Sequence, residues 1–221
     1  MYILKDMDLL IPLNELLVRH ACLVAPALVG CRLHCRISGE VLRAVITEVE
    51  AYGGLDDPAS HARMGRTPRN AAMFGMPGTS YVYRLRGCNN LSVVCMPEGT
   101  ASAVYLRAAC ALPLHGASAS TQLRLDGPGR LCKGLGITRE HDGLSLLDPA
   151  SGLWLERPED WVQPPLVQTR RTGLSSDGEL PWRWYWEGAR AISRRTPDLS
   201  KAPEISGGAA ACHECAMVIW M

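Results

Sequence analysis

Glu48-Val49-Glu50-Ala51-Tyr52 closes a run from Val41 that reads as one long β-strand. Gly53-Gly54 ends it, and the turn Ser38-Gly39-Glu40 separates it from a shorter strand over Leu33 to Arg36. Alternate residues of a strand share a face. Glu48, Glu50 and Tyr52 therefore point one way, and Thr47, Val49 and Ala51 the other. Neighbours on one face lie roughly 7 Å apart. Three readings fit this acidic face. It is a solvated strand surface, a carboxylate pair of the kind that hydrolyses glycosides with inversion, or a single catalytic carboxylate beside an aromatic ring.

Outward from this strand, Asp56-Asp57-Pro58 opens a turn or short helix over His61, nine residues beyond Tyr52. That turn lets His61 reach back to Tyr52's side of the sheet, although a lone histidine is more often structural than functional. Thr67-Pro68-Arg69-Asn70 reads as a turn, with Pro68 fixing the backbone. Thr79 to Arg86 and Asn90 to Cys95 read as a hairpin. Tyr81 and Tyr83 share one of its faces, as ordinary cross-strand packing or as a platform on which a nucleobase stacks.

The remaining segments are short. Asn14 to Cys22 has helical spacing, with Asn14 as N-cap. Ala101 to Ala108 is a strand or a strand–helix junction, and Gly127 to Gly136 is a loop opening into a short helix. Leu144 to Leu147 and Gly152 to Leu155 are short strands. Pro158, Pro164 and Pro165 punctuate an irregular section. Pro181 to Trp186 is rich in aromatics, and Ala189 to Arg194 is a final short element. Thr196 to Met221 shows no period. This pattern predicts a mixed, non-repetitive α+β domain whose irregular segments do the binding.

The 221 residues, 47% hydrophobic, suit one domain or two. Net charge is +1, which argues mildly against a nucleic-acid partner. Its distribution does not: acidic residues thin out between His61 and Met96, where Arg63, Arg66, Arg69, Arg84 and Arg86 gather, and a local basic face works at near-zero net charge. Met1 to Asp8 carries both charge signs and no cleavage site follows, so secretion is not expected. The longest apolar stretch, Ala21 to Gly30, contains Pro26 and is too short to span a bilayer. The nine cysteines are expected as reduced thiols of an intracellular protein, cytoplasmic in a bacterium or nuclear in a eukaryote. Cys212-His213-Glu214-Cys215 has ligand-like spacing, and Cys31 with Cys35 would complete a structural zinc set. A lone C-x-x-C near a terminus is more often nothing, and no metal is expected.

Taken in order, Glu50-Ala51-Tyr52, His61, Thr67 to Asn70, Tyr81-Val82-Tyr83, Asn90 and Leu106-Arg107-Ala108 resemble the alkyladenine (3-methyladenine) DNA glycosylase family. Gly127-Pro128 with Leu131-Cys132-Lys133, and Pro181-Trp182-Arg183-Trp184-Tyr185, extend the resemblance to roughly Pro12 through Arg195. The resemblance implies a glycosylase domain over residues 1–195, followed by a tail over 196–221. The implied domain has a curved antiparallel sheet core, a DNA-inserting hairpin and peripheral helices. Its partner would be damaged double-stranded DNA, bound by a monomer, with no membrane. Glu50 would be the general base that activates water against the sugar C1′. Tyr52, His61 and Tyr83 would sandwich the flipped base, Asn90 would reject guanine through its exocyclic amine, and Arg107 would bind phosphate or orient Glu50. Arg69 and Lys133 are candidates for phosphate contacts.

The implied chemistry needs no metal or cofactor. The three lysines are Lys5, Lys133 and Lys201, none near the acidic strand. A Schiff-base step needs a positioned amine, so a monofunctional enzyme is expected. The sequence departs from the family after Tyr83, where Arg84-Leu85-Arg86-Gly87-Cys88-Asn89-Asn90 is a few residues short and Arg86 stands where the family carries an aromatic wedge. Arg86 suits the minor groove, and Leu85 suits an apolar wedge. A type II′ turn with Gly87 first would pair Arg86 with Asn89, Leu85 with Asn90 and Tyr83 with Ser92. Two competing functions stay open: an inactive nucleic-acid-binding module of the same fold, and a carbohydrate glycosidase using Glu48 and Glu50.

Overall fold

The structure is a computed structural model that describes residues 11–113, 123–174 and 180–194. Eight antiparallel strands make one sheet. They are β1 (Arg32–Ile37), β2 (Glu40–Tyr52), β3 (Ser80–Leu85), β4 (Cys88–Val94), β5 (Ala103–Ala111), β6 (Leu153–Glu156), β7 (Leu166–Thr169) and β8 (Arg183–Trp186). The order is β3-β4-β5-β2-β1-β6. The long β2 is shared along one edge: its first half pairs with β1 and its end, Glu48 to Glu50, pairs with β8, which carries β7. The helices α1 (Leu13–Leu17), α2 (Ala21–Leu28) and α3 (Pro128–Gly134) are short and peripheral. This is the α+β domain with a curled antiparallel sheet that the sequence pointed to.

Alternation sorts the strands into two faces. Val49 and Ala51 of β2, Val82 of β3, Leu91 and Val93 of β4, and Val104 and Leu106 of β5 enter the main core, against Val24, Ala25 and Leu28 of α2. Each buried Val or Leu among them contributes about 1.5–3 kcal/mol. The opposite face carries Tyr81, Tyr83, Ala103 and Tyr105 in a second, smaller cluster.

The sheet is irregular where the acidic residues sit. On β2 and β5, Ile46 faces Ala109, Glu48 faces Ala108 and Val49 faces Leu106, so Thr47 is extra on one strand and Arg107 on the other. Two opposed bulges cancel in register yet bend the strands and re-aim the side chains beside them.

Several expected elements differ in detail. The helix over Asn14 to Cys22 is two helices, because the His20 side chain accepts the Cys22 N–H and starts a new one; Asn14 lies inside α1. Leu144 to Leu147 is not a strand but supplies one bridge, Ser145 to Thr79. The hairpin pairs Leu85 with Cys88, Arg84 with Asn89 and Tyr83 with Asn90, so each residue of β3 meets a partner two residues away from the expected one. Arg86 (φ 50°) and Gly87 (φ 81°) are both left-handed, which makes the turn type I′ rather than II′. The tail over 196–221, with its Cys212-His213-Glu214-Cys215, lies outside the described residues. No helix among the described residues is long and apolar enough to cross a membrane.

Candidate active site

The sheet register assembles one row of side chains across five strands. Tyr81 on β3 faces Ser92 on β4, Ser92 faces Tyr105 on β5, Tyr105 faces Glu50 on β2, and Glu50 faces Arg183 on β8. Directly opposed residues share a face, so all five lie on the side away from the main core. Tyr52 faces Ala103, whose small side chain leaves room above the row. A cavity of about 430 Å3 opens there, walled by Tyr52, His61, Tyr81, Tyr83, Asn90, Tyr105, Arg107 and Thr172, with Leu85, Arg86 and Cys88 at the hairpin, and with Pro128 and Gly129, the latter packed beside Cys88. That volume is in the range of small-molecule pockets.

Glu50 is fully buried behind this wall. Its Oε2 accepts the Tyr52 hydroxyl at 3.0 Å and Arg107 Nη1 at 3.1 Å. Its Oε1 accepts the Thr172 N–H at 2.7 Å and the Thr172 hydroxyl at 3.4 Å. Glu48 is as deeply buried, but nothing about it faces the cavity. Arg107 Nε, Arg183 Nε and the Ser193 hydroxyl converge on its Oε1 at 2.9, 2.8 and 2.7 Å, and the Ser193 N–H meets Oε2 at 2.5 Å. Burial pushes the Glu48 pKa up, but Arg183, Arg107 and Ser193 outweigh it and hold the carboxyl below its usual value. The solvated-face reading therefore fails, since neither carboxylate touches solvent. The inverting-glycosidase reading fails as well: Arg107 cross-links the two carboxylates, and Glu48 is locked away from the cavity.

Arg107 is the hinge of this network. Its Nε reaches Glu48, its Nη1 reaches Glu50 and its Nη2 reaches Ser193 Oγ at 3.1 Å. Burial alone would lower its pKa, but Glu50 and Glu48 raise it above the normal arginine value. A planar guanidinium that donates in a fixed fork suits this three-way bridge.

The rings form a connected wall. Tyr81 and Tyr83 stack at 4.8 Å between centroids, and His61 stands edge-on to Tyr83 at 4.7 Å. Tyr105 lies 6.2 Å from Tyr52 and 6.1 Å from Tyr83. The Tyr105 hydroxyl donates to Asn90 Oδ1 at 2.5 Å, while Asn90 Nδ2 donates to the Cys88 carbonyl at 2.9 Å, which fixes the amide's orientation. His61 Nδ1 is 3.1 Å from the Tyr81 hydroxyl. Lost solvation, then the Arg69 charge, lower the His61 pKa, so the ring is neutral at pH 7 and adds no positive charge to the wall. Behind Tyr52, Arg171 lies over the ring at 4.7 Å and makes a two-pronged pair with buried Asp57, at 2.5 and 2.9 Å. Asp57 also accepts the Gly53 and Ala59 N–H groups, so one carboxylate shapes the loop that leads from Tyr52 to His61. Gly54 in that loop has φ 88°, and a Cβ there would meet the Ala101 carbonyl oxygen at 1.9 Å.

Tyr52, His61, Tyr83, Asn90, Arg107, Leu85 and Arg86 thus come together around one cavity, with Glu50 directly beneath it. Arg69 and Lys133 are exposed and stand outside its wall. Arg69 donates to the Arg84 carbonyl near the tip of the hairpin, and Lys133 lies in the last turn of α3. Asp57, Tyr105, Arg171, Thr172, Arg183 and Ser193 belong to the site but escaped the sequence reading. Thr172, Arg183 and Ser193 lie more than 120 residues from the carboxylates they serve, with no local pattern to mark them. The seven described cysteines are all free. Cys31 and Cys35 are four residues apart along extended chain, roughly 13 Å, too far to share one ion. Among the described residues no group of three His, Cys, Asp or Glu side chains converges.

Comparison with known proteins agrees with this geometry. The sequence profile of the methylpurine-DNA glycosylase family matches residues 15–190. A Synechococcus sp. (strain JA-3-3Ab) protein named "Putative 3-methyladenine DNA glycosylase" is 44% identical over 192 residues, covering 81% of this chain and 97% of the relative. A Rhodopseudomonas palustris (strain BisB18) protein of the same name is 42% identical over 180 residues, covering 77% and 84%. A third, from Synechococcus elongatus, is 44% identical over 188 residues, covering 83% and 91%. The chain belongs to the methylpurine-DNA glycosylase family and is accordingly a DNA glycosylase, a hydrolase of N-glycosyl bonds.

Proposed function

We propose that the enzyme is a monofunctional glycosylase that acts as a monomer on damaged double-stranded DNA. It flips an alkylated or deaminated purine into the aromatic cavity and hydrolyses its N-glycosidic bond, leaving an abasic site. 3-Methyladenine is the first substrate, with 7-methylguanine, hypoxanthine and ethenoadenine as further ones. One observation carries this reading: a fully buried carboxylate, Glu50, lies directly behind an aromatic cavity and is held by Tyr52, Arg107 and Thr172, which line it.

Glu50 accepts the proton of a water that attacks C1′ on the face opposite the departing base. Arg107 keeps Glu50 aimed. Tyr52, His61 and Tyr83 hold the flipped base, at about 1–3 kcal/mol per stacked ring, with a cation–π contribution when alkylation makes the base cationic. Neutral His61 does not repel such a base. Asn90, fixed by Tyr105 and Cys88, disfavours normal guanine by a clash with its exocyclic amine, a penalty that the cationic ring of 7-methylguanine offsets by being a better leaving group. Leu85, 43% exposed on the cavity face of the hairpin, and Arg86 at its tip fill the gap left by the flipped nucleotide. Arg69 and Lys133 contact phosphates. Lys133 stands away from the cavity wall, which supports a water-based rather than an amine-based mechanism.

Defined duplexes carrying each of the four lesions, incubated with the protein and then cleaved with alkali at abasic sites, test the reading. Release of 3-methyladenine with an intact backbone before alkali is expected. Strand cleavage without alkali, or no release from any of the four, would contradict it.

A further inference from the structure

We propose that the Thr172 hydroxyl relays the proton from the attacking water to Glu50; the inference rests on the reading of Glu50 as the base. Glu50 has no exposed surface, and both its oxygens are occupied by donors from Tyr52, Arg107 and Thr172. Those three side chains line the cavity and Glu50 does not. A water in the cavity therefore meets Glu50 through one of them.

Arg107 offers no acceptor lone pair, so it cannot take up a proton. The Tyr52 hydroxyl is a poor acceptor, because its lone pair is conjugated with the ring. The Thr172 hydroxyl has one proton to give and two free lone pairs. At 3.4 Å its bond to Glu50 Oε1 is the longest of the four and has the most room to shorten, whereas the N–H of the same residue is held to that oxygen at 2.7 Å. The backbone bond anchors Thr172 while the hydroxyl turns. The preceding residue is anchored too: Arg171 is clamped to Asp57 and donates to the Ala51 carbonyl at 3.1 Å.

The step balances. The water oxygen bonds to C1′ and passes a proton to Thr172 Oγ1. The proton that Thr172 carried moves to Glu50 Oε1. The C1′–N bond breaks and its electron pair leaves with the purine. The products are an abasic sugar bearing a C1′ hydroxyl, the free base, protonated Glu50 and an unchanged threonine.

Thr172→Val keeps the shape and the backbone N–H but removes the relay, and Thr172→Ser keeps the hydroxyl. With the full chain in excess over a lesion duplex that the wild type excises, single-turnover rates should fall at least ~10-fold for Thr172→Val. The rate should stay near wild type for Thr172→Ser, and lesion-duplex affinity should be unchanged in both. In mixed H2O and D2O, the wild-type rate should depend on the deuterium fraction as two transferring protons require, and the Thr172→Val rate as one. Wild-type speed in Thr172→Val, or equal loss in Val and Ser, would overturn the relay alone. A wild-type protein that excises none of the four lesions would overturn the glycosylase mechanism and the relay with it.

Discussion

Arg86 is a non-glycine residue held at φ 50°, where an L side chain crowds its own carbonyl. Glycine or asparagine fits that corner of a type I′ turn better, so arginine at the tip carries a conformational cost of roughly 1–2 kcal/mol. Strain retained at a site edge points to use, and the side chain lies at the mouth of the aromatic cavity. Arg86→Asn should therefore raise stability by about 1 kcal/mol in urea unfolding while slowing single-turnover excision of a paired lesion. Excision from single-stranded DNA, where no gap must be filled, should change little. Equal slowing on both substrates would remove Arg86 from the wedge. The left-handed arginine is also why the hairpin register was not legible: a glycine-first turn is the ordinary expectation, and it displaced every partner by two residues. The residues on the cavity face stayed the same, because Tyr83, Leu85, Asn90 and Ser92 share a face in either register.

Among the elements, β2 decides both fold and site. Its alternation was readable over Glu48 to Tyr52, where Val49 and Ala51 enter the main core, whereas before Thr47 the core residues Ala44 and Ile46 follow the opposite phase. The paired bulges at Thr47 and Arg107 were not, because a bulge depends on how two distant strands meet. Nor was β7, four residues following Pro164-Pro165 with no alternation long enough to register. The bulges turn Glu48 into a nearly solvent-free knot between Arg107, Arg183 and Ser193, joining β2, β5, β8 and the segment beyond β8. Removing one partner of such a buried pair costs about 3–5 kcal/mol, so Glu48→Gln should lower unfolding free energy on that order at pH 7. The folded Glu48 pKa is lowered relative to its ordinary 4.5, so its stabilisation is present above that value and is lost as pH falls through the lower folded value. The gap between wild type and Glu48→Gln should thus be full at neutral pH and shrink below about pH 4.5 in urea titrations. A gap that widens on acidification would contradict the network's role.

At the scale of the molecule, a net charge of +1 hides an uneven distribution of charge along the chain. Arg63, Arg66, Arg69, Arg84 and Arg86 are all exposed, and no acidic residue occurs between His61 and Met96. The same stretch supplies the hairpin and much of the cavity wall, and Arg86 lies on that wall. The core on the other side was legible as hydrophobic alternation, whereas the donors around Glu50 come from chain segments that only the closed fold brings together. All of this converges on Glu50 as the base, and Glu50→Gln tests it most directly. Gln keeps the shape and one acceptor but cannot take a proton. Single-turnover excision of 3-methyladenine should fall by roughly 100-fold or more, while affinity for the lesion duplex stays within about threefold. Excision by Glu50→Gln at the wild-type rate would contradict the account.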